Sequence, residues 1–86
     1  MPNYKVVLFT DSIHQSYMTS QKEAIKKALP DVTIELVDHT DSRLALFTTS
    51  QRVPCIMILK DDARMDAKHA KLSHADATNW VTSYVS

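Results

Sequence analysis

The chain of 86 residues contains no glycine. At ordinary usage about six would be expected. The absence removes whole classes of function. A Walker phosphate loop, a dinucleotide fingerprint, a serine nucleophile elbow and an EF-hand each need glycine at a turn or a close backbone approach. The GXXG clamp of KH domains and the glycine-bearing strand of RRM domains are excluded for the same reason. There is one cysteine, so no internal disulfide and no disulfide scaffold. Charge of one sign is also missing. Lys and Arg number 10, as do Asp and Glu, for a formal net charge of +0. A nucleic-acid binder working by counterion release needs a basic face, so no nucleic-acid partner is expected. No apolar run is long enough to span a bilayer, so no membrane partner is expected either. The start, Met1-Pro2-Asn3-Tyr4-Lys5, lacks the charged and apolar regions of a signal peptide. The expectation is one domain over residues 1–86, located in the cytoplasm.

What is present is an alternation of strand and helix patterns. Hydrophobic residues make up 44% and charged residues 23%, ordinary globular usage. Lys5–Thr10 is a short β-branched apolar run and reads as a buried strand. From Ser16 to Leu29 the pattern is helical: Met18, Ile25 and Leu29 share one face, and Lys22, Glu23, Lys26 and Lys27 take the other as a solvated surface. Pro30 stops that helix. Val32–Val37 alternates as a second strand, and a helix between two strands makes a parallel, right-handed βαβ unit. Ser42 is placed to cap a short helix over Arg43–Thr49 that buries Leu44 and Phe47. Val53–Lys60 is the most apolar segment and reads as a central strand with Pro54 at its start. Asp61-Asp62-Ala63 is a turn, and residues 66–72 form a weakly patterned edge strand. Ala77, Trp80, Val81, Tyr84 and Val85 define an amphipathic last helix capped by Asp76 or Ser73. The order βαβ-α-ββ-α gives an α/β fold, a four-stranded mixed sheet with helices on both faces. Any turn that needs positive φ must use Asn, Asp or another strained residue; Asp61, Asp62 and Asn79 are among the few candidates, and Asn79 reads as helical.

This order, in a chain of this length, resembles the thioredoxin fold, and the small glutaredoxins in particular. The likeness covers nearly the whole chain. Its sharpest element is Gln51-Arg52-Val53-Pro54 leading into Cys55-Ile56-Met57-Ile58, which resembles the family segment where a cis proline opens the third strand. The resemblance makes Pro54 the candidate cis proline. Leu8-Phe9-Thr10-Asp11 resembles the end of the family's first strand, before its active-site loop. The family's Cys-X-X-Cys would follow. Here the loop reads Ser12-Ile13-His14-Gln15-Ser16-Tyr17, and the best fit puts Ile13 and Ser16 at the two cysteine positions. No neighbouring register supplies a cysteine either. The family's chemistry needs a thiolate, and a hydroxyl cannot replace it. The glycine pair that glutaredoxins place before the last helix is also replaced, by Lys71-Leu72-Ser73-His74-Ala75-Asp76. Side chains there would crowd glutathione, so no cofactor is expected.

These departures point to a redox-inactive module whose partner is a protein or extended peptide. The expected groove is built from Ser12, Ile13, His14, Gln15, Ser16 and Tyr17 on one side and Arg52, Val53 and Pro54 on the other. The helix N-terminus still offers free N–H groups, and the backbone of Val53 can pair with an extended strand. Two other classes stand beside this one. A thiol-dependent oxidoreductase or glutathione-binding protein would use Cys55; a structural or assembly subunit of a larger particle would form a stable oligomer or co-purify with a partner. Cys55 follows Pro54 in a central strand, where a thiol is a small inert hydrophobe. No catalytic residues are assigned. Asp11, Ser12 and His14 are too close in sequence for a relay and lack an oxyanion turn. Asp61, Asp62, Asp66, His69, His74 and Asp76 do not have metal-ligand spacing, and His39 reads as a loop residue. Trp80 and Tyr84 read as core.

Overall fold

The computed structural model describes residues 3–48 and 52–85. Seven elements follow one another: β1 (Tyr4–Thr10), α1 (Gln15–Ala28), β2 (Thr33–Asp38), α2 (Ser42–Phe47), β3 (Cys55–Lys60), β4 (Ala63–Lys68) and α3 (His74–Val85). The strands form one sheet in the order β2-β1-β3-β4. β1 pairs parallel with β2, Lys5 opposite Thr33 and Thr10 opposite Asp38. β3 runs antiparallel to β1, Phe9 opposite Cys55, and β4 runs antiparallel to β3. The fold is the mixed α/β sheet that the patterning predicts.

The two central strands are buried on both faces, and each face has its own core. On one side Val6, Leu8, Ile56 and Ile58 pack with Met18 and Ile25 of α1 and Ala77 and Val81 of α3. On the other, Val7, Phe9, Cys55, Met57 and Leu59 pack with Leu44 of α2. This double burial is why Lys5–Thr10 reads as an apolar run without strict alternation. Trp80 and Tyr84 lie against the first core, edge to face at 5.3 Å. β2 alternates because it is an edge strand with only partly covered faces. Glu35 on β2 joins Arg43 (2.5 Å) and Lys5 (3.7 Å), and Arg43 also bonds Asp41. The ion pairs screen the margin of the second core, where α2 is only six residues long.

Several boundaries differ from the sequence reading. Asp41, not Ser42, caps α2: its carboxylate accepts from the Arg43 N–H at 2.9 Å. The predicted end of that helix at Thr49, and Gln51 of the proline segment, lie outside the described residues. The fourth strand spans Ala63–Lys68 instead of 66–72. Asp61 and Asp62 both take positive φ, 52° and 67°, so a two-residue turn returns the chain at once and Ala63 pairs with Lys60. The third strand starts at Cys55, with Pro54 just outside it. α3 is capped by Ser73, whose Oγ accepts from the Asp76 N–H at 3.1 Å.

Candidate functional site

Strand directions decide which loops meet. β1 and β2 end at the same edge of the sheet, β3 begins there and β4 finishes there. The segments after Thr10, after Asp38, before Cys55 and after Lys68 therefore form one loop end. It contains every residue of the expected groove.

The Asp11–His14 loop is shaped by one carboxylate. Asp11 Oδ1 accepts from the His14 backbone N–H at 2.9 Å and lies 2.8 Å from His14 Nδ1. Both bonds favour the anion, so the Asp11 carboxyl is held below the usual aspartate range, chiefly by the backbone N–H. The first bond of α1 then runs from Met18 N–H to His14 O at 2.9 Å. Between these anchors the Ile13 side chain stands outward, 85% exposed, the most exposed of the large apolar side chains described. Ser12, Gln15 and Ser16 are also exposed. No hydrogen bond joins Ser12 to His14 among the described residues, so the Asp11–His14 pair has no serine nucleophile attached.

One turn further, Tyr17 is half-buried and fixed to the chain before α3. It stacks on His74 with ring centroids 5.0 Å apart, and Lys71 Nζ lies 4.7 Å from its centroid. Burial and the charge of Asp76 raise the Tyr17 phenol above its ordinary range. Beneath it Gln21, buried at 2% exposure, donates to the Leu72 carbonyl at 3.0 Å. The Lys71–Asp76 stretch is thus occupied by its own side chains. Gln21 is the residue that sequence reasoning misses, and His69 enters there only among polar residues without metal-ligand spacing. Gln21 reads as one polar position on a helix, and its bond reaches 51 residues along the chain.

On the facing side, Arg52 is exposed, Val53 is half-buried and Pro54 is buried, and the Val53–Pro54 bond is cis. His69 Nδ1 lies 3.0 Å from the Arg52 carbonyl, tying the end of β4 to this segment. Cys55, the next residue, is 0% exposed in the second core. Burial pushes its thiol up to about 11, against a weak opposite pull from Arg64. At neutral pH it is a protonated, enclosed thiol. A small cleft of about 220 Å³ opens beside the loop, between Asp11, Ser12 and Gln15 and the end of β2 at Leu36–Asp38. A hollow of about 560 Å³ lies at the other end of the sheet, between Tyr4, Leu29, Pro30 and Val85. It has no part in the loop cluster. Among the described residues no three His, Cys, Asp or Glu side chains could share a metal ion, and no helix is long and apolar enough to cross a membrane.

No family model matches the sequence, and no curated protein matches it. Solved structures do. The germline-specific thioredoxin Deadhead of Drosophila superposes with a TM-score of 0.78 at 12% identity, over 96% of this chain and 82% of that one. Thioredoxin-2 of the malaria parasite, described as a component of its protein secretion machinery, gives 0.76 at 17% identity, over 95% and 84%. Thioredoxin 1 of Thermosipho africanus gives 0.66 at 24% identity, over 94% and 93%. The chain has the thioredoxin fold.

Proposed function

From a thioredoxin fold whose only cysteine is enclosed, we propose a redox-inactive accessory module that docks a protein segment at its loop end. The segment lies between Ser12–Tyr17 and Arg52–Pro54. One observation carries the reading: where the fold's thiol chemistry would need a reactive sulfur, this chain presents an outward isoleucine, Ile13, held by the Asp11–His14 turn. An exposed apolar side chain costs little when solvated and contributes about 1–2 kcal/mol when a partner covers it. Cys55 does not support a thiol enzyme, because a buried thiol with a raised pKa supplies almost no thiolate. The partner is a protein or extended peptide. Glutathione, nucleic acid and membrane are not partners in this reading, and its compartment is the cytoplasm.

The test uses a partner purified from the native source with the protein. Ile13→Ser should weaken that complex about tenfold or more and leave the melting temperature unchanged. Leu46→Ser, a change at another exposed apolar side chain on α2, should leave binding intact. Weakening by Leu46→Ser instead would move the interface to α2. Disulfide reduction above background with a dithiol donor would end the redox-inactive reading.

A further inference from the structure

The sheet has two edges, and the chain treats them differently. β4 is the guarded edge. It carries exposed Arg64 and Lys68, and a bulge at Ile58–Leu59 leaves Met65 without an opposite residue. Charge and a bulge are devices by which edge strands avoid further pairing, and the Asp66 carboxylate also takes up the Ala67 N–H at 2.8 Å. β2 has none of these. Its register with β1 is unbroken from Thr33 to Asp38, and it contains no Lys, Arg or Pro. Glu35, its one internal carboxylate, is already held by Arg43 and Lys5.

The backbone of β2 shows which groups are open. Thr10 lies opposite Asp38, and its carbonyl accepts the His39 N–H at 2.8 Å. In a parallel ladder each bonded residue reaches the two neighbours of its opposite number, so Thr33, Glu35, Val37 and His39 turn to β1. Ile34 and Leu36 therefore turn their N–H and C=O groups to the open side, where no further strand lies. Among the described residues nothing meets these groups. Their side chains rest on the first core, so the edge is regular and half-buried.

The charges beside this edge differ between the two faces. On the second-core face Arg43 and Lys5 are matched by Glu35 and Asp41. On the first-core face α1 lies over β1 and β2, and α3 lies over β4, where the Tyr84 hydroxyl donates to Asp66. Met18 and Ile25 face the sheet, and Tyr17 and Gln21 face α3. At about 3.6 residues per turn, Lys22 and Lys26 fall on the remaining flank, above the open edge, with Glu23 and Lys27 further round toward solvent. Lys22 is half-buried, and neither Lys22 nor Lys26 forms an ion pair among the described residues. A second copy joined across this edge by a two-fold axis would set these lysines against their own counterparts. A strand bearing carboxylates would neutralise them.

We propose that the outer edge of β2 is a strand-pairing site for an extended segment of another protein, antiparallel to β2 and carrying glutamates on the face beneath Lys22 and Lys26. Ile34 and Leu36 supply the backbone hydrogen bonds, as in β-augmentation, and the two lysines fix which face of the segment lies toward α1. Residues opposite Ile34 and Leu36 share their face, so the glutamates are also the residues whose N–H groups meet β2. The site stands apart from the groove at Ser12–Tyr17 and does not depend on it.

The experiment titrates the intact protein with an alternating Glu–Val peptide long enough to span β2, following amide shifts and hydrogen exchange by NMR. At saturation the Ile34 and Leu36 amides should gain protection of about tenfold or more. Methylating the glutamate nitrogens of the peptide, which face β2, should abolish binding; methylating the valine nitrogens, which face outward, should not. Lys22→Gln/Lys26→Gln, or an alternating Gln–Val peptide, should weaken binding about tenfold at moderate salt, and Lys27→Gln should not. Equal binding of the two methylated peptides overturns strand pairing without relying on any protein variant. Undiminished affinity of the Lys22/Lys26 variant overturns the acidic assignment. A dimer in the absence of peptide, with Ile34 and Leu36 already protected, gives the edge to a second copy and overturns the assignment to another protein. No shift along β2 up to about 1 mM peptide overturns the edge site. Shifts confined to Ser12–Tyr17 and Arg52–Val53 also overturn it and leave the loop-end docking reading standing.

Discussion

The two ends of the sheet handle a chain without glycine in opposite ways. At the hairpin end, β3 must return as β4 within two residues, and Asp61 and Asp62 accept positive φ to do it. Outside glycine that region costs about 1–2 kcal/mol per residue, least for Asp and Asn, whose side chains bond locally. Asp61 recovers part of this: its N–H donates to the Asn3 carbonyl at 2.9 Å, and its carboxylate accepts from the Asn3 N–H at 3.0 Å. At the loop end no described residue has positive φ. The turns there are longer and are closed by side chains instead: Asp11 to His14, Thr40 to Asp38, Gln21 to Leu72. One end is a tight backbone device. The other is a set of side-chain clasps. Side chains that replace a glycine turn bring chemistry with them, and here that chemistry is imidazole and carboxylate.

The largest effect that separates the ends is expected at Gln21. Gln21→Ala leaves the Leu72 carbonyl without its donor and opens a gap between α1 and the start of α3. It should cost about 2 kcal/mol in chemical denaturation and release the Tyr17–His74 stack, read from the His74 ring shifts. A cost below 0.5 kcal/mol would mean that the clasp does not hold the loop end. At the hairpin end the sign reverses. Asp62→Gly relieves positive φ and should stabilise by about 0.5–1 kcal/mol; destabilisation would show that the Asp62 side chain has a role that its backbone angle does not reveal. The smallest effect is acid sensitivity. Asp11, Asp38 and Asp41 are held below the ordinary aspartate range, Asp11 chiefly by the His14 N–H, Asp38 by the Thr40 hydroxyl and Asp41 by Arg43. A carboxyl depressed in the folded state stabilises above its unfolded pKa and loses that contribution as pH falls through the folded one. Stability should therefore be level above about pH 5 and decline below about pH 4, modestly, because solvent still reaches these groups and screens them. Hydrogen exchange should show the loop-end amides losing protection before those of the Asp61–Asp62 hairpin. The reverse order would break the comparison.

Much of the fold was legible in the chain. Met18, Ile25, Ala77 and Val81 reveal two helices that cover one face, and the β-branched runs at Val6–Phe9 and Cys55–Leu59 reveal the buried central strands. Local polarity is enough for this, because each side chain reports whether its position meets water. The limits are equally physical. Asp41 and Ser42 are both good capping residues, and only the local backbone path decides which one reaches the Arg43 N–H. The start of β4 depended on Asp61 accepting positive φ, which no periodicity encodes. In the candidate site, Ser12–Tyr17 and Arg52–Pro54 were legible as segments. The clasp that fixes one of them, Gln21 on Leu72, was not.

The elements, the two apolar faces of the central strands, the lack of a cysteine pair and the need for aspartate where the backbone turns left-handed can be read from the residues alone. All of these follow from side-chain polarity, size and identity read locally. The folded chain brings His14, His39, His69 and His74 to one end and closes the space around Cys55 completely. Those facts depend on the directions and register of four strands. Strand pairing joins residues far apart in the chain through backbone hydrogen bonds, and those bonds are the same for nearly every side chain that makes them.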